Sequence, residues 1–132
     1  MPSLSGVYTS FSGRTLAVDE GGQLVLLPQG SAPNAQSKLR ADAEFWLCRD
    51  DGLIGKFGNP DKVLLRVQDQ EYHVWVEPRG FSDGENEYGL VAVVPGAEYS
   101  NRFLAVDEEE LRLQIVDQWT GGAKFRCVED SI

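Results

Sequence analysis

The sequence predicts an all-β fold. Three observations carry that expectation. Apolar and polar residues alternate along most of the chain, the alternating stretches are short, and Gly-, Asp- and Pro-containing breaks separate them. In "TLAVD" (15–19), Leu16 and Val18 project to one side while Thr15, Ala17 and Asp19 project to the other. The pattern amounts to about ten to twelve short strands.

In chain order the strand candidates are "TLAVD", "QLVLLP", "KVLLRVQ", "EYHVWVEP", "GLVAVV", "RFLAVD", "LRLQIV" and "KFRCVE". The breaks between them are "DEGG", "RDDG", "GNPD", "PRG", "SDGEN" and "WTGG", all rich in residues that favour turns. Fourteen glycines and six prolines are scattered along the chain, as many turns require. One stretch, "NAQSKLRADAEF" (34–45), has helix-forming content, but it lacks a sustained apolar stripe at helical spacing.

The chain repeats itself. "RTLAVDEGG" (14–22) returns as "RFLAVDEEE" (102–110), and "LLRVQ" (64–68) aligns with both. Leu16, Leu65 and Leu104 fall in register, as do Val18, Val67 and Val106, with the copies 49 and 39 positions apart. After each copy come a polar break and a second apolar strand, at Leu24–Leu27, Val74–Val76 and Leu111–Ile115. An aromatic-x-apolar strand follows: Trp46-x-Cys48, Tyr88-x-Leu90 and Phe125-x-Cys127. A single copy exposes one apolar face, so the copies are expected to share a core.

Three copies of this kind resemble a β-trefoil, with three pseudo-repeats of four short strands. Gly13-Arg14-Thr15-Leu16, Asn101-Arg102-Phe103-Leu104 and Gly52-Leu53-Ile54-Gly55-Lys56-Phe57 are similar to the turn-strand patterns of the fascin and hisactophilin-like branch. Gly6-Val7-Tyr8-Thr9 resembles the opening of small fungal trefoils, the ricin-B-like lectins and the mycocypin-type protease inhibitors. The resemblance implies one domain over 1–132, with repeats over approximately 6–51, 52–95 and 96–132. It also implies a six-stranded barrel capped by three hairpins. The competing architecture is an up-and-down β-barrel of the lipocalin or fatty-acid-binding kind, which needs longer hairpin-linked strands.

The net charge of −9 argues against nucleic-acid and anionic-membrane partners, which take Lys and Arg surfaces. No long apolar run predicts a transmembrane helix, and the start "MPSLSGVYTS" lacks the basic head and apolar stretch of a signal peptide. Two cysteines, Cys48 and Cys127, are too few for a disulfide framework. The expectation is a cytoplasmic protein with free, buried thiols, though similar small trefoils also leave cells by non-classical routes.

Nothing predicts catalysis or a cofactor. His73, the sole histidine, alternates with Val74 and Val76 and belongs on a solvent face or strand edge. No nucleophile motif accompanies it. Asp83, Glu85 and Glu87 in the acidic loop 82–88 offer hard oxygen ligands to calcium, but without the twelve-residue loop pattern, so no metal is expected.

The loops carry the functional signal, as rigid scaffolds with long loops often do. "PQGSAPNAQSKLRADAE" (28–44) and "EPRGFSDGENEYG" (77–89) are the longest. "VDQWTGGAK" (116–124) sets Trp119 in a Gly-rich turn, with Asp117, Gln118 and Asn101 as hydrogen-bonding neighbours. A flat aromatic face with polar groups beside it suits a sugar ring. The leading expectation is a non-catalytic, lectin-like carbohydrate-binding protein. The alternatives are a protease inhibitor whose exposed loop presents Lys38, Leu39 and Arg40, or Arg79, and a fascin-like domain that binds actin or another protein.

Overall fold

The computed structural model describes residues 5–28, 37–42, 44–49, 62–82, 85–119 and 121–129. Among these the regular structure is all β, apart from a 3-10 turn at Gly121–Ala123. No helix among them is long and apolar enough to cross a membrane.

The main antiparallel sheet curls so that its pairings return to their start. β1 (Ser5–Ser10) pairs on one side with β11 (Phe125–Glu129), from Gly6↔Glu129 to Ser10↔Phe125. On its other side β1 pairs with β4 (Lys38–Ala41), which pairs with β5 (Leu47–Arg49). Trp46, just before β5, bridges Trp75 of β7 (Gln70–Ser82), and the Val76 amide donates to the Phe45 carbonyl at 2.8 Å. β7 forms a long hairpin with β8 (Glu85–Val93), and Tyr88 of β8 pairs with Phe125 of β11.

Three hairpins project from this ring. They are β2 (Leu16–Val18) with β3 (Leu24–Leu26), β6 (Leu65–Val67) with the first residues of β7, and β9 (Phe103–Asp107) with β10 (Arg112–Val116).

The repeated phrase has a local cause at its aspartate. Asp19 Oδ1 accepts from the amides of Gly21 and Gln23, both at 2.9 Å. Asp107 Oδ1 accepts from Glu109 at 3.0 Å and Glu110 at 3.2 Å. Each carboxylate holds its turn by satisfying amides that the strands leave unpaired. The middle hairpin has a different device: Gln68 and Asp69 both take positive φ, 51° and 66°, as a two-residue type I′ turn requires. It therefore lacks the aspartate phrase.

The apolar half of the phrase packs inward. Leu16, Leu65 and Leu104 are buried in one cluster with Val18 and Val106, and Val67 packs against its edge. Tyr8, Leu39, Leu47, Leu90 and Phe125 complete much of that interior. Each large side chain there stabilises the fold by roughly 1.5–3 kcal/mol through burial.

Four expectations need correction. Lys38–Ala41, within the loop expected over 28–44, is strand β4, because Leu39 is buried in the sheet between β1 and β5. The middle copy returns at Gln70–Tyr72 rather than at Val74–Val76: Tyr72 faces Leu65, as Leu26 faces Leu16 and Ile115 faces Leu104. Trp46 does not share the interior position of Tyr88 and Phe125; its neighbour Leu47 does. Finally, 77–89 is largely paired strand, with a bulge between Pro78 and Gly80, so β7 and β8 are longer than the alternation suggested.

Candidate functional site

β8 is buried on both faces. Leu90 and Ala92 point into the main interior, whereas Val91 and Val93 point outward into a second cluster with Phe103, Ala105 and Ala123. The chain has three tryptophans, and all of them, Trp46, Trp75 and Trp119, lie half-buried against this outer cluster. Alternation along β7 explains Trp75, since Tyr72, Val74 and Val76 face inward and His73 and Trp75 face outward.

Trp46 is set by the turn between β4 and β5. Asp42 Oδ1 accepts from the amides of Glu44 and Trp46, both at 2.9 Å, and Phe45 adopts φ 68°. A positive φ at a bulky aromatic is a strained geometry, of the kind that concentrates at functional positions. It leaves Phe45 43% exposed and turns Trp46 outward, opposite Trp75.

The result is two aromatic pairs on neighbouring strands. Trp46 and His73 meet edge to face at 6.0 Å, and Lys62 Nζ stands 4.7 Å over the Trp46 ring. Trp75 and Tyr99 meet edge to face at 6.2 Å, and Trp75 Nε1 donates to the Glu44 carbonyl at 3.0 Å. Tyr99 is 62% exposed. Burial, and next the Lys62 ammonium, hold the His73 pKa below its ordinary value, against a weaker opposing pull from Glu71. The imidazole is thus neutral at pH 7, able both to donate and to accept a hydrogen bond.

At the predicted site Asn101, Asp117 and Gln118 are exposed, but the Trp119 ring is covered. Arg102, beside Asn101, pairs with Asp117 at 3.3 Å across the open end of the β9–β10 hairpin, just before Gln118 and Trp119. The Trp119 ring, however, has Arg79 5.2 Å and Lys124 5.1 Å over it, and its Nε1 is buried. It also packs so close to Gly89 that a Cβ there would lie 3.2 Å from the indole. A sugar stacking on Trp119 would first have to displace a cation.

Neither basic segment is an exposed loop. Lys38, Leu39 and Arg40 lie in β4, all three paired with β1 and the last two also with β5, and Leu39 is fully buried. Arg79 sits at the β7 bulge, bonded to Glu77 at 2.9 Å and lying over Phe103 and Trp119. Asp83 lies outside the described residues, and Glu87 is buried. Among the described residues no group of three His, Cys, Asp or Glu side chains is placed to hold a metal ion.

Cys48 is buried and Cys127 half-buried, and both are free. Burial pushes each thiol from the ordinary 9.0 up to about 11, with the Asp42 carboxylate adding to the rise at Cys48. Thiol-specific labelling at pH 8 is therefore expected to be slow in the native protein and fast once it is unfolded, because the thiolate is the reactive species. Unfolded thiols lose their protons first as pH rises, so their contribution to stability is present below about pH 9 and lost toward pH 11. Denaturant midpoints measured at pH 8 and pH 10.5 check the direction.

Sequence reasoning missed the Trp46–Trp75–Tyr99 surface. Its signal was present in "EYHVWV": the alternation that placed His73 outward places Trp75 outward too. Comparison with family models, curated proteins and solved structures gave no match.

Proposed function

We propose that this protein is a non-catalytic carbohydrate-recognition module with a β-trefoil architecture, and that glycans dock on the Trp46–His73–Trp75–Tyr99 surface. The returning order β1–β4–β5–β7–β8–β11, the three hairpins and the common interior of Leu16, Leu65 and Leu104 support the architecture. In that reading the repeats open at β1, β5 and β8. The observation that carries the function is Tyr99, largely exposed and edge-on to Trp75, with a second aromatic pair beside it.

Pyranose rings present apolar C–H faces and a rim of hydroxyls. Tyr99 and the edge of Trp75 receive the faces, while His73, the Tyr99 hydroxyl and Lys62, which stands over Trp46, exchange hydrogen bonds with the rim. The inhibitory alternative loses support, because the segments named as bait are paired in strands or packed over Trp119.

A glycan array identifies the ligand, and intrinsic tryptophan fluorescence measures its affinity. Tyr99→Ala is expected to weaken binding roughly tenfold, the worth of one aromatic contact at its upper range. An array with no binder at all overturns the reading. Retention of a protein partner that Tyr99→Ala abolishes would instead favour a protein-binding domain.

A further inference from the structure

We propose that the cavity where the three hairpins meet binds a small oxyanionic ligand, a compact organic body carrying phosphate, sulfate or carboxylate groups. The site is separate from the aromatic surface and does not rest on the glycan reading.

β3, β6 and β10 contact one another pairwise, and between them lies a cavity of about 540 Å³. That is within the size range of small-molecule sites. Its apolar walls include Leu26, Tyr72 and Ile115, the cross-strand partners of the three equivalent leucines. In the next layer Leu24 and Leu113 face Val18 and Val106, but the middle hairpin puts Gln70 opposite Val67. One hairpin thus introduces a polar side chain where the other two are apolar.

The charge of the lining is unlike that of the chain. Arg66, Arg102 and Arg112 line the cavity together with Gln68, Gln70 and Gln114, and none of the described lining residues is Asp or Glu. The whole chain has 21 acidic residues against 12 basic ones, so a lining with arginines alone departs from its composition. Each arginine has a carboxylate partner outside the lining: Glu71 at 2.7 Å, Asp117 at 3.3 Å and Asp107 at 3.8 Å.

Those partners do not saturate the arginines. A guanidinium has five N–H donors and one carboxylate engages at most a pair of them, so donors remain for a ligand. All three guanidinium side chains are about half exposed or more, at 51%, 49% and 63%, and ion pairs so exposed yield readily to a better-placed anion. The glutamines add neutral donors and acceptors for the ligand's body. The net charge of −9 opposes encounter at long range, so affinity has to come from these local donors.

Isothermal titration calorimetry at low ionic strength tests the site with inorganic pyrophosphate, fructose 1,6-bisphosphate and a sulfated uronate disaccharide. The first two represent phosphorylated small molecules and the third an acidic glycan. At least one probe is expected to bind saturably, one per chain, and Arg66→Gln with Arg112→Gln is expected to weaken it at least tenfold. Arg49→Gln, on β5 and outside the cavity, should change it less than twofold. If the double variant fails to fold, each single variant is expected to weaken binding at least threefold. The proposal is overturned if no probe binds, if the cavity variants bind like the parent, or if Arg49→Gln weakens binding as much as they do.

Discussion

Replacing Phe125 with alanine is expected to cost about 3–5 kcal/mol of folding stability, the range for emptying a buried aromatic position. Phe125 is fully buried in the main interior. It pairs with Ser10 of β1 and with Tyr88 of β8, so its strand lies inside the sheet and links the first strand to the β7–β8 hairpin. Truncation leaves a cavity in the main interior, where few neighbours can collapse because β11 is held by strands on both sides. Folded domains are typically stable by only about 5–15 kcal/mol, so this one substitution removes a large fraction of the total. Urea unfolding followed by far-UV circular dichroism reads the loss as a lower midpoint. A midpoint like the parent's would mean that Phe125 is not part of the interior that holds this fold.

The second large effect belongs to the repeated leucines. Leu16→Ala, Leu65→Ala and Leu104→Ala are each expected to lose about 2–5 kcal/mol, because all three side chains sit in the same cluster with almost no exposure. Their cross-strand partners, Leu26, Tyr72 and Ile115, all border the cavity between the hairpins. Each truncation therefore loosens one hairpin at the same level of the structure. Leu111→Ala is the control. Leu111 is 57% exposed, and its truncation should change stability by about 0.5 kcal/mol or less. A leucine of the three that behaves like Leu111 would lie outside the shared interior.

These leucines were legible because period-two alternation is a local signal: a strand with one apolar side reports which residues face the core. The aspartates of the repeated phrase were legible as turn residues for an equally local reason, since Asp19 and Asp107 bond amides two to four residues away. Trp46 was not legible. Its direction depends on the positive φ at Phe45 and the bonds to Asp42, and nothing in the aromatic-x-apolar spacing encodes either. The middle hairpin was misread because its turn is two residues long, which brings the return strand closer than in the other copies.

Trp119 shows the limit most clearly. Its place just after β10 follows from adjacent residues, and Arg102, next to Asn101, pairs with Asp117 two positions before it. Of the two cations over its ring, Lys124 is near in the chain, but Arg79 comes from a strand distant in sequence, and that contact exists only after β7, β8 and β9 have assembled. Long-range coverage of this kind has no signature in a single sequence. The same holds for Lys38–Arg40, whose composition favours a helix and whose place between β1 and β5 makes it a strand.

The most direct test follows the three indole N–H resonances by ¹⁵N-edited NMR during titration with the glycan that the array identifies. Trp46 and Trp75 signals are expected to shift together with the ring protons of Tyr99, while Trp119, under Arg79 and Lys124, stays in place. Movement confined to Trp119, or movement of none of the three at saturation, would contradict the account.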